Sequence, residues 1–445
     1  MTRSKTRRPS RARLVLRFLR IAVAFLWALA RYVARVLASA LPERGEELDE
    51  ARTERLRGEI LADTLERLGA TFVKFGQILG SRPDLLGPGY VGALARLQDK
   101  VPPSPFAAIE RVLAEDLGER RARFRSIEPT PVAAASVAQV HEGILDTGER
   151  VAIKVQRPEA PEQIEGDLAI MAFGARLLDR LPSVHLLSLP GAVERFDHAL
   201  RGQLDFHAEA DHNRRFAKNF ANVRGIRVPE LVSDLCTARV LTMEYVVGEK
   251  ATHPELVKDK RTRSKLAMRG AHAILQMVFE DGFVHADLHP GNILLQEDGT
   301  MVFLDLGMVA EIPPELMAPW IDTFTALGKQ DGVTAARLFY GYAPSVATAD
   351  YPAFERDVVA YFDKLEGLTL GDVEVSQIVS GMMNILRRHH VQVEPVFTVV
   401  HIGLLVAEGL GKQLDPEIDL VRMALPFLLE AAKKAPPGIA PNRAP

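Results

Sequence analysis

A single cysteine, Cys236, leaves this 445-residue chain without an intramolecular disulfide and without any multi-cysteine zinc site. One free thiol is compatible with a reducing compartment. Net charge is nearly absent as well: 55 Lys and Arg stand against 58 Asp and Glu. No global basic field of the kind that marks a nucleic-acid binder is present, so nucleic acid is not expected as a partner. Long hydrophobic runs are also missing. Ile21–Ala30 is uncharged for only ten residues, and Val396–Leu410 is interrupted by His401 and Glu408. Neither reaches the roughly 20 apolar residues that cross a bilayer, and the second reads as a buried helix. What remains is ordinary for a globular protein with a large core: 47% hydrophobic and 25% charged residues. The length allows two to three domains, or one two-lobed enzyme with extensions.

The charge that is present is placed unevenly. Residues 1–20 hold eight Arg or Lys and no acid. Leu14, Val15, Leu16, Phe18, Leu19, Ile21 and Phe25–Trp27 are interspersed with Arg, which suits a basic amphipathic helix lying on a membrane surface. A signal peptide is an alternative, although an Arg-rich flank follows where a small-residue cleavage site would stand. An extension whose helix packs on its own protein is the plain reading. An acid-rich turn, Glu43–Glu50, closes this segment.

Residues 51–125 read as helical, with Leu61, Leu65, Leu68, Phe72, Phe75 and Leu79 on a helical period and Pro83, Pro88 and Pro102–Pro105 as interruptions. From about residue 130 the texture changes. Val137–His141, Val151–Gln156 and Val240–Tyr245 are short β-branched runs that read as strands, with Thr147-Gly148 as a hairpin turn and helices between the last two strands. Ile293–Leu295, the Glu297-Asp298-Gly299 turn and Met301–Leu304 predict a second hairpin. Residues 312–432 read as mostly helical, and Ala435–Pro445 is a Pro-rich tail expected to be disordered. No internal repeat is evident.

Two motifs carry chemistry. Val151-Ala152-Ile153-Lys154 is a strand ending in lysine, which in a kinase-like fold holds the α- and β-phosphates of ATP. Apolar strands ending in lysine are common, so alone this says little. The downstream cluster is more specific: His285-Ala286-Asp287-Leu288-His289-Pro290-Gly291-Asn292 fits H-x-D-x-x-x-x-N, and Asp305-Leu306-Gly307 follows one hairpin later. Phosphoryl transfer asks for placed phosphates, a placed metal and neutralised charge more than for covalent help. Asn292 and Asp305 offer the oxygen ligands Mg2+ prefers. Asp287 would accept the proton of an attacking hydroxyl or orient a water. The plain alternative makes Asp287 a turn residue and Asp305 a strand-end cap.

These residues resemble the protein-kinase-like superfamily and, more narrowly, the UbiB/AarF family of atypical kinases linked to isoprenoid quinone (ubiquinone) biosynthesis. Lys74-Phe75-Gly76-Gln77 is similar to the family's K-x-G-Q signature, Ala133-Ala134-Ala135-Ser136-Val137-Ala138-Gln139-Val140-His141 to its alanine-rich nucleotide loop, and Leu414-Asp415-Pro416 to its C-terminal lobe. The likeness covers roughly residues 55–420. It implies that Lys74 and Gln77 face the nucleotide from a helix covering the place of a protein substrate. It implies also that Ala133, Ala134, Ala135 and Ser136 line the phosphates, and that Glu209 of His207-Ala208-Glu209-Ala210 pairs with Lys154. Glycine lets backbone amides approach phosphates because it has no Cβ, so an alanine loop is expected to be stiffer and to seat them differently. Met243-Glu244-Tyr245-Val246 ends a strand at the hinge position, where Glu244 and Val246 would present backbone groups to adenine; a buried edge strand is the equally plain reading. One departure stands out. The family's E-x-D motif appears as Gln203-Leu204-Asp205, and Gln203 cannot form an ion pair with Lys74.

The expected fold is α+β: a bilobal protein-kinase-like fold with an N-terminal helical extension and a mostly helical C-lobe. The expected segments are residues 1–50 as a basic extension at a membrane surface, 51–125 as the K-x-G-Q helices, 126–247 as the N-lobe with inserted helices, 248–432 as the C-lobe and 433–445 as a disordered tail. The expected activity is that of an ATPase or a small-molecule or lipid kinase using ATP and Mg2+, with an isoprenoid lipid or quinone precursor as partner. A nucleotide-switched binding module with little turnover is the alternative. A protein kinase is disfavoured, because no A-P-E motif follows Asp305 and Ile312-Pro313-Pro314 comes only a few residues later. Relatives often carry C-terminal membrane helices where this chain has the Pro-rich tail. The expected location is therefore cytoplasmic, with peripheral contact at the inner face of an anionic membrane through residues 1–41.

Overall fold

The computed structural model describes residues 11–39, 50–83, 85–97, 101–180, 189–346, 350–364, 374–434 and 440–443. The acid-rich turn over residues 43–49, the basic residues before 11 and most of the Pro-rich tail lie outside the described residues. The chain divides into two compact units. The first comprises Met1–Gly80, Pro88–Asp211 and Glu230–Val246, and the second Ser81–Gly87, His212–Pro229 and Val247–Pro445.

The first unit is organised by an antiparallel sheet of β1 (Phe124–Ile127), β2 (Ala133–Ala134), β3 (Ala138–Leu145), β4 (Arg150–Gln156) and β6 (Val240–Glu244), in the order β1-β3-β4-β6 with β2 also paired to β3. β3 and β4 form a hairpin through Thr147-Gly148, where Gly148 takes the positive φ of +91° that the turn needs. Side chains alternate across β4, and each set has its own layer. Val151, Ile153 and Val155 point to α5 (Phe106–Leu117), packing with Ile109, Val112, Leu113 and Leu117. The opposite face is covered by α6 (Ala160–Leu178), α7 (Leu189–Gly202) and the start of α8 (Phe206–Asn219), through Ile164, Leu168, Phe196, Leu200, Phe206 and Ala210. α3 (Ala70–Gly80) joins this layer through Phe75, whose ring meets Phe196 edge-on at 5.1 Å. α2 (Glu50–Leu68) and α4 (Pro88–Leu94) complete the helical part.

α1 (Arg11–Ser39) lies along α2 and α6. Its inward stripe carries Leu14, Arg17, Ile21, Ala28 and Arg31, while Val15, Leu16, Leu19, Val23, Leu26 and Leu29 face outward with Arg13, Arg20 and Arg35, Leu26 being 66% exposed. Arg17 reaches Asp167 and the carbonyl of Leu68, Arg31 reaches Asp63 at 2.9 Å, and Trp27 is flanked by the guanidinium groups of Arg31 and Arg67.

The second unit is mostly helical around a small β region. β5 (Ile226–Arg227), β10 (Met301–Phe303), β9 (Ile293–Leu295) and β7 (Glu249–Lys250) form one sheet in that order, and β8 (Phe283–His285) pairs with β11 (Val309–Glu311). The helices are α9 (Lys260–Phe279), α10 (Pro314–Gly328), α11 (Gly332–Tyr342), α12 (Tyr351–Asp363), α13 (Val375–Arg388), α14 (Pro395–Leu414) and α15 (Leu420–Lys434). Asp259 starts α9, its carboxylate accepting from the Thr262 amide, and Asp331 and Asp350 cap α11 and α12 in the same way. Among the described residues α14 alone is long and apolar enough to cross a membrane. It is built into the core instead, with Phe397, Val400, Leu404 and Leu410 buried alongside Ile274 and Met277 of α9. Part of the tail is ordered: the Asn442 amide donates to the carbonyl of Gly341 at 2.7 Å, at the end of α11.

Candidate nucleotide site

The residues singled out in the sequence divide between the two units. In the first, Lys154 stands on β4 opposite Leu241 of β6, on the face away from α5. One turn into α8, Glu209 is buried on the same face. Lys154 Nζ donates to both carboxylate oxygens of Glu209, at 2.8 and 2.9 Å, and lies 5.6 Å from the centroid of the Phe206 ring. The alternation of β4 and the helical period of α8 thus converge on an ion pair largely shielded from water, where a charge-assisted bond is strong.

The alanine segment differs from a free loop. Ala133 and Ala134 are a short strand against Val140 and Gln139, and the Ala135 amide bonds to the carbonyl of Ala138 across a tight turn that contains Ser136. On α3, Lys74 is buried, and Gln77 donates to the carbonyl of Leu97 at 3.1 Å while its Oε1 is enclosed without a partner among the described residues. Gly76 is a packing requirement, since a Cβ there would run into the methyl groups of Leu65 and Leu97. Asp205 accepts from the His207 amide at 3.0 Å at the head of α8. Glu244 ends β6, pairing with Val151, and its own amide bonds to the carbonyl of Glu230; Val246 is the last residue of this unit.

In the second unit the hairpin β9–β10 does the gathering. Its register pairs Ile293 with Phe303, and the Leu304 amide closes the base by bonding to the carbonyl of Asn292 at 2.8 Å. Asn292 and Asp305 therefore leave the two strands side by side. Asp305 adopts φ +53°, a left-handed conformation in which Asp and Asn are enriched. Asn292 Nδ2 donates to the carbonyl of Asp287 at 3.1 Å, so five residues of chain are folded into one turn and the amide oxygen is the atom left to present.

His285 is the keystone of this turn. Its ring is buried, Nδ1 accepts the amide of Asp287 at 3.2 Å, and Nε2 donates to the carbonyl of Leu304 at 3.0 Å. Both nitrogens are used in the neutral tautomer, and burial holds its pKa below the ordinary range although Asp287 and Asp305 both pull it upward. One imidazole thereby ties the amide of Asp287 to the carbonyl that immediately precedes Asp305.

Sequence reading missed a second such residue. His212 of α8 donates from Nδ1 to the carbonyl of Leu306, 2.9 Å away, and stands edge-on to Phe283 at 5.9 Å. The available signal was its place three residues after Glu209, with Phe216 on the same helical face.

For a divalent cation the donor chemistry fits. The Asn292 amide oxygen and the Asp305 carboxylate are hard oxygen donors, brought to the same end of one hairpin. Among the described residues no group of three or more His, Cys, Asp or Glu forms an all-protein metal cage. Mg2+ is commonly held by one or two protein oxygens with phosphates and water completing the shell.

A lysine–glutamate pair on a strand and helix, an H-x-D turn and an Asp-Leu-Gly after a hairpin are the parts of a protein-kinase-like fold of the α+β class. The sequence model of the ABC1 atypical kinase-like domain matches residues 96–338, and that of the UbiB helical domain matches residues 358–419. The chain belongs to the ABC1/UbiB family of atypical kinase-like proteins. It is 34% identical over 403 residues to the "Probable protein kinase UbiB" of Pseudomonas paraeruginosa, covering 88% of this chain and 75% of that protein. The same identity and coverage hold for the protein of that name from Pseudomonas aeruginosa. Among solved structures, the complex of Rv3197 with erythromycin from Mycobacterium tuberculosis superposes with a TM-score of 0.48 at 24% identity, over 77% of this chain and 91% of that one.

Proposed function

We propose that this protein hydrolyses ATP, or transfers its γ-phosphoryl group to a small-molecule or lipid acceptor, with Mg2+ as cofactor. The observation that carries this reading is the His285-braced turn, which sets Asp287, Asn292 and Asp305 on one short frame. In this reading Lys154, oriented by Glu209, holds the α- and β-phosphates, and the Asn292 oxygen and Asp305 hold the metal. Asp287 takes the proton of the attacking hydroxyl. When bound, Mg2+ would neutralise charge on the phosphates and fix their orientation.

Lys74, Gln77, Ala133, Ala134, Ala135, Ser136, Glu244 and Val246 complete the nucleotide-binding set in this proposal. The enclosed Gln77 Oε1 supports a polar ligand near α3. Peptide phosphorylation is disfavoured, because β11 begins at Val309 and α10 at Pro314, so no long activation segment follows Asp305. The family and the name of the Pseudomonas relatives favour a role in ubiquinone or related isoprenoid metabolism. The outward apolar side chains of α1 favour peripheral membrane contact.

Thermal unfolding with and without ATP and Mg2+ tests the nucleotide site. A ligand at a hundredfold excess over its dissociation constant adds about 2.7 kcal/mol to the folded state. The wild type should show a magnesium-dependent rise that Asp305→Asn abolishes; no rise with any nucleotide overturns the proposal.

A further inference from the structure

We propose that the second unit carries a separate binding site for a small phosphate-bearing molecule with an apolar body, in a cavity of about 750 Å³ at the tip of the β9–β10 hairpin. Asn292 and Asp305 lie at the base of that hairpin and take no part in the cavity lining. One wall is a single face of α9: Lys265, Met268, Arg269 and His272 follow one another at helical spacing. The facing wall is the turn Asn222–Ile226, and the floor includes Asp298 and Thr300 of the hairpin turn. The volume falls within the range of small-molecule sites.

The charge of the lining is one-sided. Arg224, Lys265 and Arg269 line the cavity against one carboxylate, Asp298. That carboxylate is already engaged, accepting the amide and hydroxyl of Thr300 at 2.8 and 3.0 Å. Arg224 and Lys265 have no hydrogen-bond or ion-pair partner among the described residues. Like charges gathered on low-dielectric walls raise the local potential for an anion.

Arg269 is held in place rather than merely present. Its Nη1 donates to the carbonyl of Gly299, and its guanidinium lies flat against Gly225, where any Cβ would collide with it. Both glycines have positive φ, +79° at Gly225 and +83° at Gly299, so two turns are shaped around this one side chain. A fixed guanidinium flanked by two unpaired cations suits the several oxygens of a phosphate better than the two of a carboxylate. Val223, Ile226, Met268 and Met423 supply apolar surface beside it, which accounts for the apolar body.

The test is isothermal titration of the full chain in EDTA, which keeps the metal-dependent nucleotide site out of the measurement. The probes are inorganic pyrophosphate, glycerol 3-phosphate and dihexanoyl phosphatidic acid. The wild type should bind at least the last, and Arg224→Glu with Lys265→Glu should weaken it by about tenfold or more while leaving the magnesium- and ATP-dependent rise in melting temperature intact. Should the double reversal fail to fold, Arg224→Gln and Lys265→Gln are each tested singly, and each must weaken binding. Tighter binding of dihexanoyl phosphatidic acid than of glycerol 3-phosphate supports a lipid source, and equal binding a soluble phosphate ester. Wild-type affinity in the charge variants, or no binding of any probe by the wild type, overturns the site.

Discussion

Arg17 and Asp167, 150 residues apart, form a two-pronged ion pair in which Nε and Nη2 reach the two carboxylate oxygens at 2.6 and 2.9 Å. The Asp167 side chain is 1% exposed. Nη2 also reaches the carbonyl of Leu68 at 2.6 Å, so one guanidinium ties α1 to both α2 and α6. Arg17→Ala strands a buried carboxylate, which costs roughly 3–5 kcal/mol. Urea unfolding should show that loss, and Arg17→Met with Asp167→Leu should recover most of it. Equal destabilisation in the double variant would mean that packing, and not the charge, holds α1.

The pair Lys154–Glu209 bears on turnover rather than on folding. Glu209→Gln keeps the shape of the side chain and removes the charge that orients Lys154. ATP turnover should fall by about a hundredfold, the scale of losing one preorganised charge contact in an active site, with the melting temperature of the free protein changed little. A variant that retains wild-type turnover would show that the ion pair is structural only.

Much of this site was legible beforehand, and the reasons are local. The parity of β4 sets Lys154 opposite Ile153, and the five-residue spacing from Asp287 to Asn292 is the length of one turn. The Glu297-Asp298-Gly299 signal gives the hairpin that returns Asp305 to Asn292. What escaped depends on distance in sequence. Nothing near Arg17 announces Asp167, so the sequence leaves a membrane-surface helix and a helix packed on its own protein both open, and the inward turn of Arg17 and Arg31 shows the packing. His212 escaped because its partner is a backbone carbonyl of Leu306, which no side-chain pattern marks. The strand at Ala133–Ala134 arises from pairing with Val140 and Gln139, a tertiary choice that overrides the weak strand preference of alanine.

Acid should destabilise the second unit through His401. Both ring nitrogens are buried on α14 without a hydrogen-bond partner among the described residues, and burial pushes the pKa from 6.5 down to about 4. The folded state refuses a proton that the unfolded chain accepts, so stability present above about pH 6.5 is lost as pH falls toward 4, by roughly 3 kcal/mol in all. Asp281 acts in the opposite sense, since burial and the neighbouring Glu280 push it up to about 6 and its folded form gains a proton first. Denaturant unfolding of wild type and His401→Leu across pH 4–7 separates the two. The difference between the proteins should grow as pH falls; a difference independent of pH would exclude His401 as its source.

The outward face of α1 makes a prediction opposite to that of a basic membrane helix. Its exposed side chains include Leu16, Leu19, Val23, Leu26 and Leu29 beside Arg13, Arg20 and Arg35, while Arg17 and Arg31 are committed to Asp167 and Asp63. Attraction to anionic lipid through Arg is screened by salt, with a Debye length of about 3 Å at 1 M, whereas burial of apolar surface is not. Flotation with neutral phosphatidylcholine vesicles should therefore succeed and persist at high salt. Leu16→Ser, Val23→Ser and Leu26→Ser together should abolish it, because each removes apolar area worth about 25 cal/mol per Å² buried. Arg13→Glu and Arg20→Glu should leave it unchanged. Binding that requires anionic lipid and disappears in salt would mean that the charged residues, and not the apolar face, meet the membrane.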